Sequence, residues 1–445
     1  MLKFGTDGVR GVANLDLTPE LVLALGRAAA RVLGGREFVV GRDTRLSGPL
    51  LESALIAGLT SEGVRVTALG VVPTPTVAWL AAVEGAAGAV ISASHNRFED
   101  NGIKLFAQGG YKLTDAVETA LEAELHALLA HDGGGSARTG EAVGTVVDGS
   151  AAVNRWADSV QGSIDGRGLE GMSLVVDCAN GAATTIAPKV LRALGATVEV
   201  LHDAPDGTNI NTGCGSTYPQ DLQKTVVQLG ADVGLAFDGD ADRVLAVDAG
   251  GRLIDGDQII AITAIDRRDH GRLPKDTVVA TVMANLGFRI GMREHGIDVL
   301  EVPVGDRSVL EALAGEGLSL GGEQSGHVIF ADLATTGDGL LTAVQLLDAV
   351  HRSGEPLGDL ADSAMTRLPQ VLHNVRVAHK GMDLAGALAA EIAAVQVELG
   401  DHGRVLVRGS GTEPLVRVMV EAPTAEAAEA AAARLVTAVE ALGGS

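Results

Sequence analysis

The alternation of apolar and polar residues along the chain predicts helices and short strands in turn. Thr18 and Pro19 precede an amphipathic stretch that reaches Leu33, which predicts a helix with Thr18 as its N-cap. Short runs without polar residues, at 86–91 and 233–237, predict buried strands. Helices and strands that alternate in this way are typical of α/β folds.

One helix–strand unit occurs three times, at residues 59–73, 191–205 and 292–303. In each copy a helix ends at a glycine, an alternating strand follows, and a proline comes a few residues later. Three copies of one unit predict three related α/β domains.

The order of elements also predicts where the domains meet. A Gly/Ser-rich stretch predicts a loop at 131–139, and a third unit begins near Asp255. Past Leu368 the pattern becomes strand, helix, strand, strand, helix, which predicts a small α+β domain without the repeat. We therefore predict four domains, at residues 1–150, 151–254, 255–368 and 369–445.

Composition and charge restrict the class of protein. A chain of 445 residues exceeds one hydrophobic core, and its formal net charge of -23 argues against a general nucleic-acid or anionic-membrane surface. Cys178 and Cys214 are too few for a disulfide framework. No charged leader opens the sequence, and no apolar span approaches about 20 residues. We expect a cytoplasmic protein without nucleic-acid or membrane partners, in which a local basic pocket holds any anionic ligand.

Ser94 is the first candidate for chemistry. It lies in a polar loop directly after a predicted buried strand, with His95 and Asn96 beside it. Ligands of α/β folds bind beyond the ends of such strands. A polar loop that caps a helix through Ser or Asn is the alternative interpretation.

Asp238, Asp240 and Asp242 follow a second buried strand and are separated only by Gly and Ala. Carboxylates at this spacing can converge on one hard cation through oxygen ligands. The calcium loop of an EF-hand is excluded, because its sixth and twelfth positions are Arg243 and Ala249. The alternatives are therefore a Mg²⁺ site and a solvated acidic turn.

Two further loops carry binding chemistry. Residues 408–412 combine a Gly/Ser turn with hydroxyls, and Arg408 and Arg417 add guanidinium groups, which together suit a phosphate dianion. A β-hairpin with incidental arginines is the alternative. Residues 321–327 present Glu323, Ser325 and His327, a set suited to sugar hydroxyls, in which His327 is either a base or a structural histidine.

The motifs together resemble one family, the α-D-phosphohexomutases, and most closely its members that act on glucosamine phosphates. The resemblance covers essentially the whole chain and implies three related α/β domains with mixed sheets and a smaller C-terminal α+β domain, heart-shaped around a central cleft. Six motifs match in order: FGTDGVRG (4–11), ISASHN (91–96), DNGIK (100–104), DGDADR (238–243), GEQSGH (322–327) and RGSGTEPLVRVM (408–419).

The resemblance implies roles for individual residues around the reacting phosphoryl group. Ser94 is similar to the family's phosphoserine, and a phosphoryl oxygen on it would complete a Mg²⁺ site. The implied metal ligands in the chain are Asp238, Asp240 and Asp242. Positions that match family residues near the reacting group are Arg10, Lys104, Arg243 and His327, of which Lys104 and His327 are the acid/base candidates.

It also implies roles in substrate binding. Glu323 and Ser325 resemble the residues that hold sugar hydroxyls. The residues that resemble the loop gripping the non-reacting phosphate are Arg408, Ser410, Gly411, Thr412 and Arg417.

The implied reaction converts glucosamine 6-phosphate to glucosamine 1-phosphate, through phospho-Ser94 and a 1,6-bisphosphate intermediate, and supplies amino sugar for UDP-N-acetylglucosamine and the cell wall. It requires one Mg²⁺ per chain and a hexose 1,6-bisphosphate as activator, with sugar phosphates as the only partners of a monomer or homodimer. Phosphoglucomutase or phosphomannomutase activity on neutral hexose phosphates is the alternative. A non-enzymatic sugar-phosphate sensor is disfavoured, because Ser94 and the three aspartates are present.

One position departs from the family pattern. Many relatives have proline directly after SASHN, where this chain has Arg97. The alternatives for Arg97 are that it extends the positive patch or that it faces solvent, and we expect it to face solvent.

Overall fold

The computed structural model describes residues 8–130, 138–377, 384–409 and 415–443. The chain forms two compact units, Met1–Val282 with Ile297–Asp362, and Met283–Gly296 with Ser363–Ser445. In the described residues the first unit contains three mixed sheets with helices, and the second contains one antiparallel sheet with helices. The predicted class, three related α/β domains and a smaller C-terminal α+β domain, is confirmed.

The helices and strands of the described residues have the following bounds. The strands are β1 (Val9–Val12), β2 (Glu37–Arg42), β3 (Arg65–Val71), β4 (Ala87–Ile91), β5 (Asp100–Phe106), β6 (Val146–Asp148), β7 (Ser173–Asp177), β8 (Thr197–Leu201), β9 (Val233–Phe237), β10 (Val244–Asp248), β11 (Leu253–Ile254), β12 (Thr277–Thr281), β13 (Asp298–Val302), β14 (Leu320–Gly322), β15 (Val328–Phe330), β16 (Gln370–Arg376), β17 (Arg404–Gly409) and β18 (Leu415–Glu421). The helices are α1 (Pro19–Leu33), α2 (Gly48–Ser61), α3 (Thr74–Glu84), α4 (Asp115–Ala130), α5 (Val153–Gly162), α6 (Ile186–Ala193), α7 (Gln220–Leu229), α8 (Gly256–Asp269), α9 (Leu286–Glu294), α10 (Asp306–Glu316), α11 (Gly339–Ser353), α12 (Leu357–Ala364), α13 (Leu384–Ala387), α14 (Ala389–Leu399) and α15 (Ala425–Gly443).

The internal repeat is visible in the three mixed sheets. Their strand orders are β1-β5-β4-β2-β3-β6, β11-β10-β9-β7-β8 and β13-β12-β14-β15. In each sheet the helix of the repeated unit connects two parallel strands. These are β2 and β3 in the first sheet, β7 and β8 in the second, and β12 and β13 in the third. A third parallel strand continues each sheet and then pairs antiparallel with the next strand in the chain.

Glycine ends the repeated helices in all three copies, as the sequence predicts. Gly63, Gly195 and Gly296 have φ values of +85°, +97° and +69°, in the left-handed region that favours glycine. Each lies one residue beyond the C-cap, where the chain turns into the strand that follows.

The first sheet is covered on both faces because side chains alternate along its strands. On β2, Val40 packs in one buried cluster with Leu25 of α1 and Leu55 of α2. Its neighbour Val39 packs in a second cluster with Val77 of α3. This part of the first unit therefore has helix, sheet and helix layers. The N-cap of α1 is also as predicted, since the side chain of Thr18 accepts a hydrogen bond from the backbone N–H of Leu21 at 3.3 Å.

Three of the predicted functional loops occupy equivalent positions in the three sheets. Residues 92–99 connect β4 to β5, residues 238–243 connect β9 to β10, and residues 323–327 connect β14 to β15. Each loop joins the antiparallel strand pair of its own sheet. The repeat therefore presents one polar loop per sheet.

The second unit contains the antiparallel sheet β16-β18-β17. Its core includes Val375, Val407 and Val418 from the strands and Leu435 from α15. The one helix predicted between the first two strands of this domain is instead two helices, α13 and α14. They are separated at Leu388, whose side chain is buried in that core. In the described part of the chain, none of the helices combines the length and the apolar character needed to cross a membrane.

Candidate active site

Ser94 lies at the centre of a buried polar cluster in the first unit. Its side chain is 1% exposed, and its hydroxyl donates a hydrogen bond to Oδ2 of Asp238 at 2.5 Å. Its φ of +52° is unusual for a residue other than glycine, so the surrounding contacts must hold this conformation. The backbone N–H of Ser94 donates to Oγ of Ser92 at 2.9 Å.

The side chain of Arg45 supports the backbone of the loop that carries Ser94. The side chain is fully buried, and its Nε donates to Oδ2 of Asp43 at 2.8 Å. The remaining guanidinium donors reach backbone carbonyl groups: those of Ser94 and Asn96 at 2.9 Å, Asp100 at 3.0 Å, and Arg97. One rigid fork therefore fixes three carbonyl groups of the Ser94 loop and that of Asp100 at the start of β5.

The second repeat supports the same loop. Nδ2 of Asn211 donates to the carbonyl oxygens of Ser94 at 2.8 Å and Asn96 at 3.0 Å. Gly239 lies so close that a Cβ atom on it would be 2.6 Å from the carbonyl oxygen of Ser94. Glycine at this position is therefore what allows the acidic loop to approach Ser94.

Asp238, Asp240 and Asp242 form a buried acidic cluster, in which one carboxylate oxygen from each residue lies within 4.8 Å of the other two. Lys104 donates to Oδ2 of Asp240 at 2.8 Å and of Asp242 at 3.0 Å, and Oγ1 of Thr74 donates to Oδ2 of Asp240 at 2.6 Å. Among the described residues, Oδ1 of Asp240 and Oδ1 of Asp242 have no hydrogen-bond partner. Two buried carboxylate oxygens left without donors fit the ligand set of a hard divalent cation.

The electrostatics of this cluster agree with that fit. Burial, together with the charges of Asp242 and Asp240, raises the pKa of Asp238 well above its usual range. Although burial opposes it, the Lys104 ammonium holds the pKa of Asp242 well below its usual range. A bound divalent cation would relieve the repulsion that raises the pKa of Asp238. The acidic cluster can therefore bind a metal ion, and Mg²⁺ fits an all-oxygen set.

His95 lies beside the hydroxyl of Ser94, and Arg243 and Arg10 act on His95. Nδ1 of His95 is 3.3 Å from Oγ of Ser94 and 3.2 Å from Nη1 of Arg243. Burial, Arg243 and Arg10 lower the pKa of His95, in that order of size. The imidazole therefore stays neutral near pH 7, while the arginines supply the positive charge.

His327 connects the acidic cluster to the third repeat. It is 2% exposed, with Nδ1 3.7 Å from Oδ1 of Asp242 and Nε2 3.6 Å from Oδ2 of Asp306. Burial lowers the pKa of His327, but the carboxylates of Asp242 and Asp306 raise it by more, so the pKa lies above its usual value. On the same loop, Oε1 of Glu323 accepts a hydrogen bond from the N–H of Gly305 at 3.1 Å, and Ser325 is exposed.

The structure brings seven of the fifteen residues that the sequence predicts for the site into one cluster. Arg10 lies on β1, opposite Gly102 of β5, and Glu323 and Ser325 share the loop that carries His327. Arg408 and Arg417 lie in the second unit, directly opposite each other on β17 and β18. Ser410, Gly411 and Thr412 lie outside the described residues. The residues brought into one cluster are Ser94, Lys104, Asp238, Asp240, Asp242, Arg243 and His327.

The expected position of Arg97 is confirmed. Its side chain is 77% exposed, and its only ionic contact among the described residues is with Glu99, at 3.5 Å. The departure from proline therefore leaves the side chain in solvent, while the backbone carbonyl contributes to the contacts of Arg45.

Several supporting residues were missed by the sequence analysis. Asp43 and Arg45 directly follow β2, which is the parallel neighbour of β4, so their place at the same sheet edge as Ser94 was available from the strand pattern. Thr74 and Asn211 gave no such signal, because their partners are distant in the sequence. Thr74 lies 166 residues from Asp240, and Asn211 lies 115–117 residues from the Ser94 loop.

Replacing Arg45 with lysine is expected to destabilise the first unit by about 3 kcal/mol, because a single ammonium cannot satisfy Asp43 and four carbonyl groups in a buried site. Loss of the loop geometry should also lower kcat about 100-fold. Thermal melting and steady-state kinetics would check both effects. The matched control is Arg42→Lys, since Arg42 is partly exposed and pairs with Glu52 at 2.9 Å. Wild-type turnover in Arg45→Lys would contradict the role given to this residue.

Models of four domains of one family match the chain in order. They are described as phosphoglucomutase/phosphomannomutase, alpha/beta/alpha domain I (residues 1–131), domain II (154–251) and domain III (255–368), and the C-terminal domain (372–438).

Individual proteins show the same similarity. The chain is 53% identical to a phosphoglucosamine mutase from Desulforudis audaxviator, over 94% of this chain and 93% of that protein. It is also 53% identical to a phosphoglucosamine mutase from Frankia alni, over 98% of each. A crystal structure of a phosphoglucomutase/phosphomannomutase family protein from Burkholderia thailandensis superposes with a TM-score of 0.81, at 26% identity, over 99% of this chain and 98% of that one.

Proposed function

The chain belongs to the phosphoglucomutase/phosphomannomutase family, and from that membership we propose that it interconverts glucosamine 6-phosphate and glucosamine 1-phosphate. The full-length similarity to curated phosphoglucosamine mutases favours the amino sugar over neutral hexoses. The observation that carries the proposal is the hydroxyl of Ser94, held 2.5 Å from Asp238 inside a cluster of three aspartates, Lys104 and Arg243.

Ser94 is the group that we propose to carry the phosphoryl group. In the first step the sugar hydroxyl attacks phospho-Ser94, so the bond between phosphorus and Oγ breaks and a 1,6-bisphosphate forms. In the second step Oγ attacks the other phosphoryl group of the bisphosphate, and the bond between that phosphorus and the sugar oxygen breaks. The sugar oxygen takes up a proton to give the product, and Ser94 is phosphorylated again. Ser94 has a φ of +52°, and its backbone is hydrogen-bonded to the side chains of Ser92, Arg45 and Asn211. These contacts keep Oγ directed at the acidic cluster through both steps.

The acidic cluster is the proposed Mg²⁺ site, formed by Asp238, Asp240 and Asp242 with the phosphoryl group on Ser94. A bound Mg²⁺ would neutralise charge that develops on the transferred phosphoryl oxygens. Lys104 bridges Asp240 and Asp242, which fixes the direction of both carboxylates. With Arg243 and Arg10 it adds positive charge beside Oγ, and phosphoryl transfer depends mainly on such positioning and electrostatic stabilisation.

Proton transfer is assigned to Lys104 and His327. Both are buried, and both contact the acidic cluster. Either group can therefore exchange a proton with a sugar hydroxyl that binds next to this cluster. Glu323 and Ser325 are the proposed partners of the sugar hydroxyls. Arg408 and Arg417, with Ser410, Gly411 and Thr412, are the proposed grip on the phosphate that does not react.

The proposal includes the setting of the enzyme. We assign it to the cytoplasm as a monomer or homodimer, with a hexose 1,6-bisphosphate as its activator. Its product would enter the synthesis of UDP-N-acetylglucosamine and cell-wall precursors. The four-domain division, with boundaries after residues 150, 254 and 368, stays a prediction.

The test is turnover with Mg²⁺ and catalytic glucose 1,6-bisphosphate, in which glucosamine 6-phosphate is compared with glucose 6-phosphate and mannose 6-phosphate. We expect kcat/KM for the amino sugar to exceed the others by at least about tenfold. A preference for a neutral sugar would be consistent with the phosphoserine chemistry but would show that the activity is that of a phosphoglucomutase or phosphomannomutase. No turnover on any of the three, with phosphate present on Ser94, would overturn the enzymatic function.

A further inference from the structure

A second group of side chains with metal-ligand chemistry lies in the second repeat, outside the acidic cluster. It consists of Asp177 at the end of β7, His202 after β8, and Cys214 in the segment before α7. A carboxylate oxygen, an imidazole nitrogen and the thiol sulfur of these residues lie within 4.8 Å of one another. In the part of the chain that the structure describes, this group and the aspartate cluster are the two with such geometry.

Asp177 is fixed in position and still has capacity to bind a cation. Its side chain is fully buried, and its Oδ1 and Oδ2 accept hydrogen bonds from the N–H groups of Ala179 at 2.9 Å and Gly215 at 2.8 Å. Each carboxylate oxygen can accept more than one partner. The two backbone donors therefore orient the carboxylate without using all of its lone pairs.

His202 directs one ring nitrogen at Asp177. Nδ1 is buried and lies 3.1 Å from Oδ1 of Asp177, which raises the pKa of His202, and a bound cation would replace the proton that Nδ1 shares with that carboxylate. Nε2 faces Oδ2 of Asp221 at 3.8 Å, a carboxylate in the place where metal-binding histidines commonly have one. The side chain is 26% exposed, so solvent reaches part of the ring, while Nδ1 itself is buried.

Cys214 supplies the soft ligand. Its side chain is buried, and Nδ2 of Asn180 lies 3.9 Å from its sulfur. Burial, with the charge of Asp177 beside it, raises the pKa of Cys214 to about 12, so the thiol is protonated when no cation is bound. Binding of a cation at sulfur would release that proton to solvent.

We propose that Asp177, His202 and Cys214 bind a thiophilic divalent cation of the Zn²⁺ type, with water as the fourth ligand. One oxygen, one nitrogen and one sulfur ligand suit a tetrahedral Zn²⁺ site and not Mg²⁺, which prefers oxygen. The proposal stands on these three residues and does not depend on the reaction assigned to Ser94.

The site would connect to the loop of Ser94 through backbone contacts. The N–H of Asn211 donates to the carbonyl of Ala179 at 2.9 Å, and Ala179 is bound by Asp177. The side chain of Asn211 in turn donates to the carbonyl oxygen of Ser94. A cation that cross-links Asp177, His202 and Cys214 therefore stabilises the segment that supports Ser94.

Titration with Co²⁺, in protein saturated with Mg²⁺, tests the proposal without any measurement of activity. We expect one equivalent to produce a thiolate-to-Co²⁺ charge-transfer band in the near ultraviolet and the visible bands of a tetrahedral site. Zn²⁺ should displace the Co²⁺ and raise the melting temperature. Cys214→Ser should remove the charge-transfer band, whereas Cys178→Ser, which changes the other of the two cysteines, and Asp240→Asn in the acidic cluster should keep it.

The same experiment can overturn the proposal. Absence of the charge-transfer band in wild-type protein, or its persistence in Cys214→Ser, would show that the three residues form only a structural contact. Should Cys214→Ser fail to fold, X-ray absorption of the wild-type Zn²⁺ complex decides. One sulfur at about 2.3 Å from the metal is the expected result, and a shell of only nitrogen and oxygen overturns it.

Discussion

Ser94→Ala is expected to lower kcat by at least about 10³-fold, because the variant has no oxygen that can carry the phosphoryl group between the two half-reactions. Substrate affinity should change little, since the acidic cluster, Lys104 and Arg243 all remain. The variant loses one hydrogen bond to Asp238, which costs about 1 kcal/mol. Steady-state kinetics, calorimetric binding of glucosamine 6-phosphate and intact mass after incubation with glucose 1,6-bisphosphate would measure the three effects.

Ser92→Ala is the comparison that separates the two serines of the loop. The hydroxyl of Ser92 donates to Asp43 at 2.6 Å and accepts from the N–H of Ser94, so it orients the loop and does not face the acidic cluster. This variant should turn over more slowly but still gain one phosphoryl group. A phosphoryl group on Ser94→Ala, or turnover close to that of wild type, would sink the assignment of Ser94 as the phosphorylated residue.

The internal repeat explains why so much of the fold could be predicted from the sequence. The C-terminal glycines of α2, α6 and α9 and the alternating strands β3, β8 and β13 are local signals, and local signals are what residue patterns encode. The buried strand predicted at 233–237 matches β9 at both ends. The break at Leu388 was missed because a buried leucine inside an apolar helical pattern gives no signal of an interruption.

The candidate site could be predicted only in part, for a related reason. Each polar loop follows a strand whose apolar run is visible in the sequence, so Ser94 and the three aspartates could be identified one loop at a time. Which loops meet depends on how the repeats pack. That packing places Asn211 on the carbonyl of Ser94 and Thr74 on Asp240, contacts that no spacing within one loop reports.

Asp240→Asn is expected to weaken Mg²⁺ binding at least about tenfold and to lower kcat as well. Oδ2 of Asp240 already accepts hydrogen bonds from Lys104 and Thr74, so Oδ1, which has no donor in the described structure, is the oxygen left for a cation. An asparagine has one oxygen and one NH₂ group. It must turn the NH₂ group either toward the Lys104 ammonium or toward the cation, and both arrangements are repulsive.

The measurement is the Mg²⁺ dependence of turnover, together with Mn²⁺ binding followed by electron paramagnetic resonance, which reports affinity without activity. Asp232→Asn is the matched control in the same repeat. Asp232 is exposed and accepts from the N–H of Ser173 at 2.7 Å, a bond that asparagine can also accept, so its metal dependence should equal that of wild type. If Asp240→Asn bound Mn²⁺ with unchanged affinity, the cation site would have to be formed without Asp240, and the two orphaned oxygens of the acidic cluster would need another explanation.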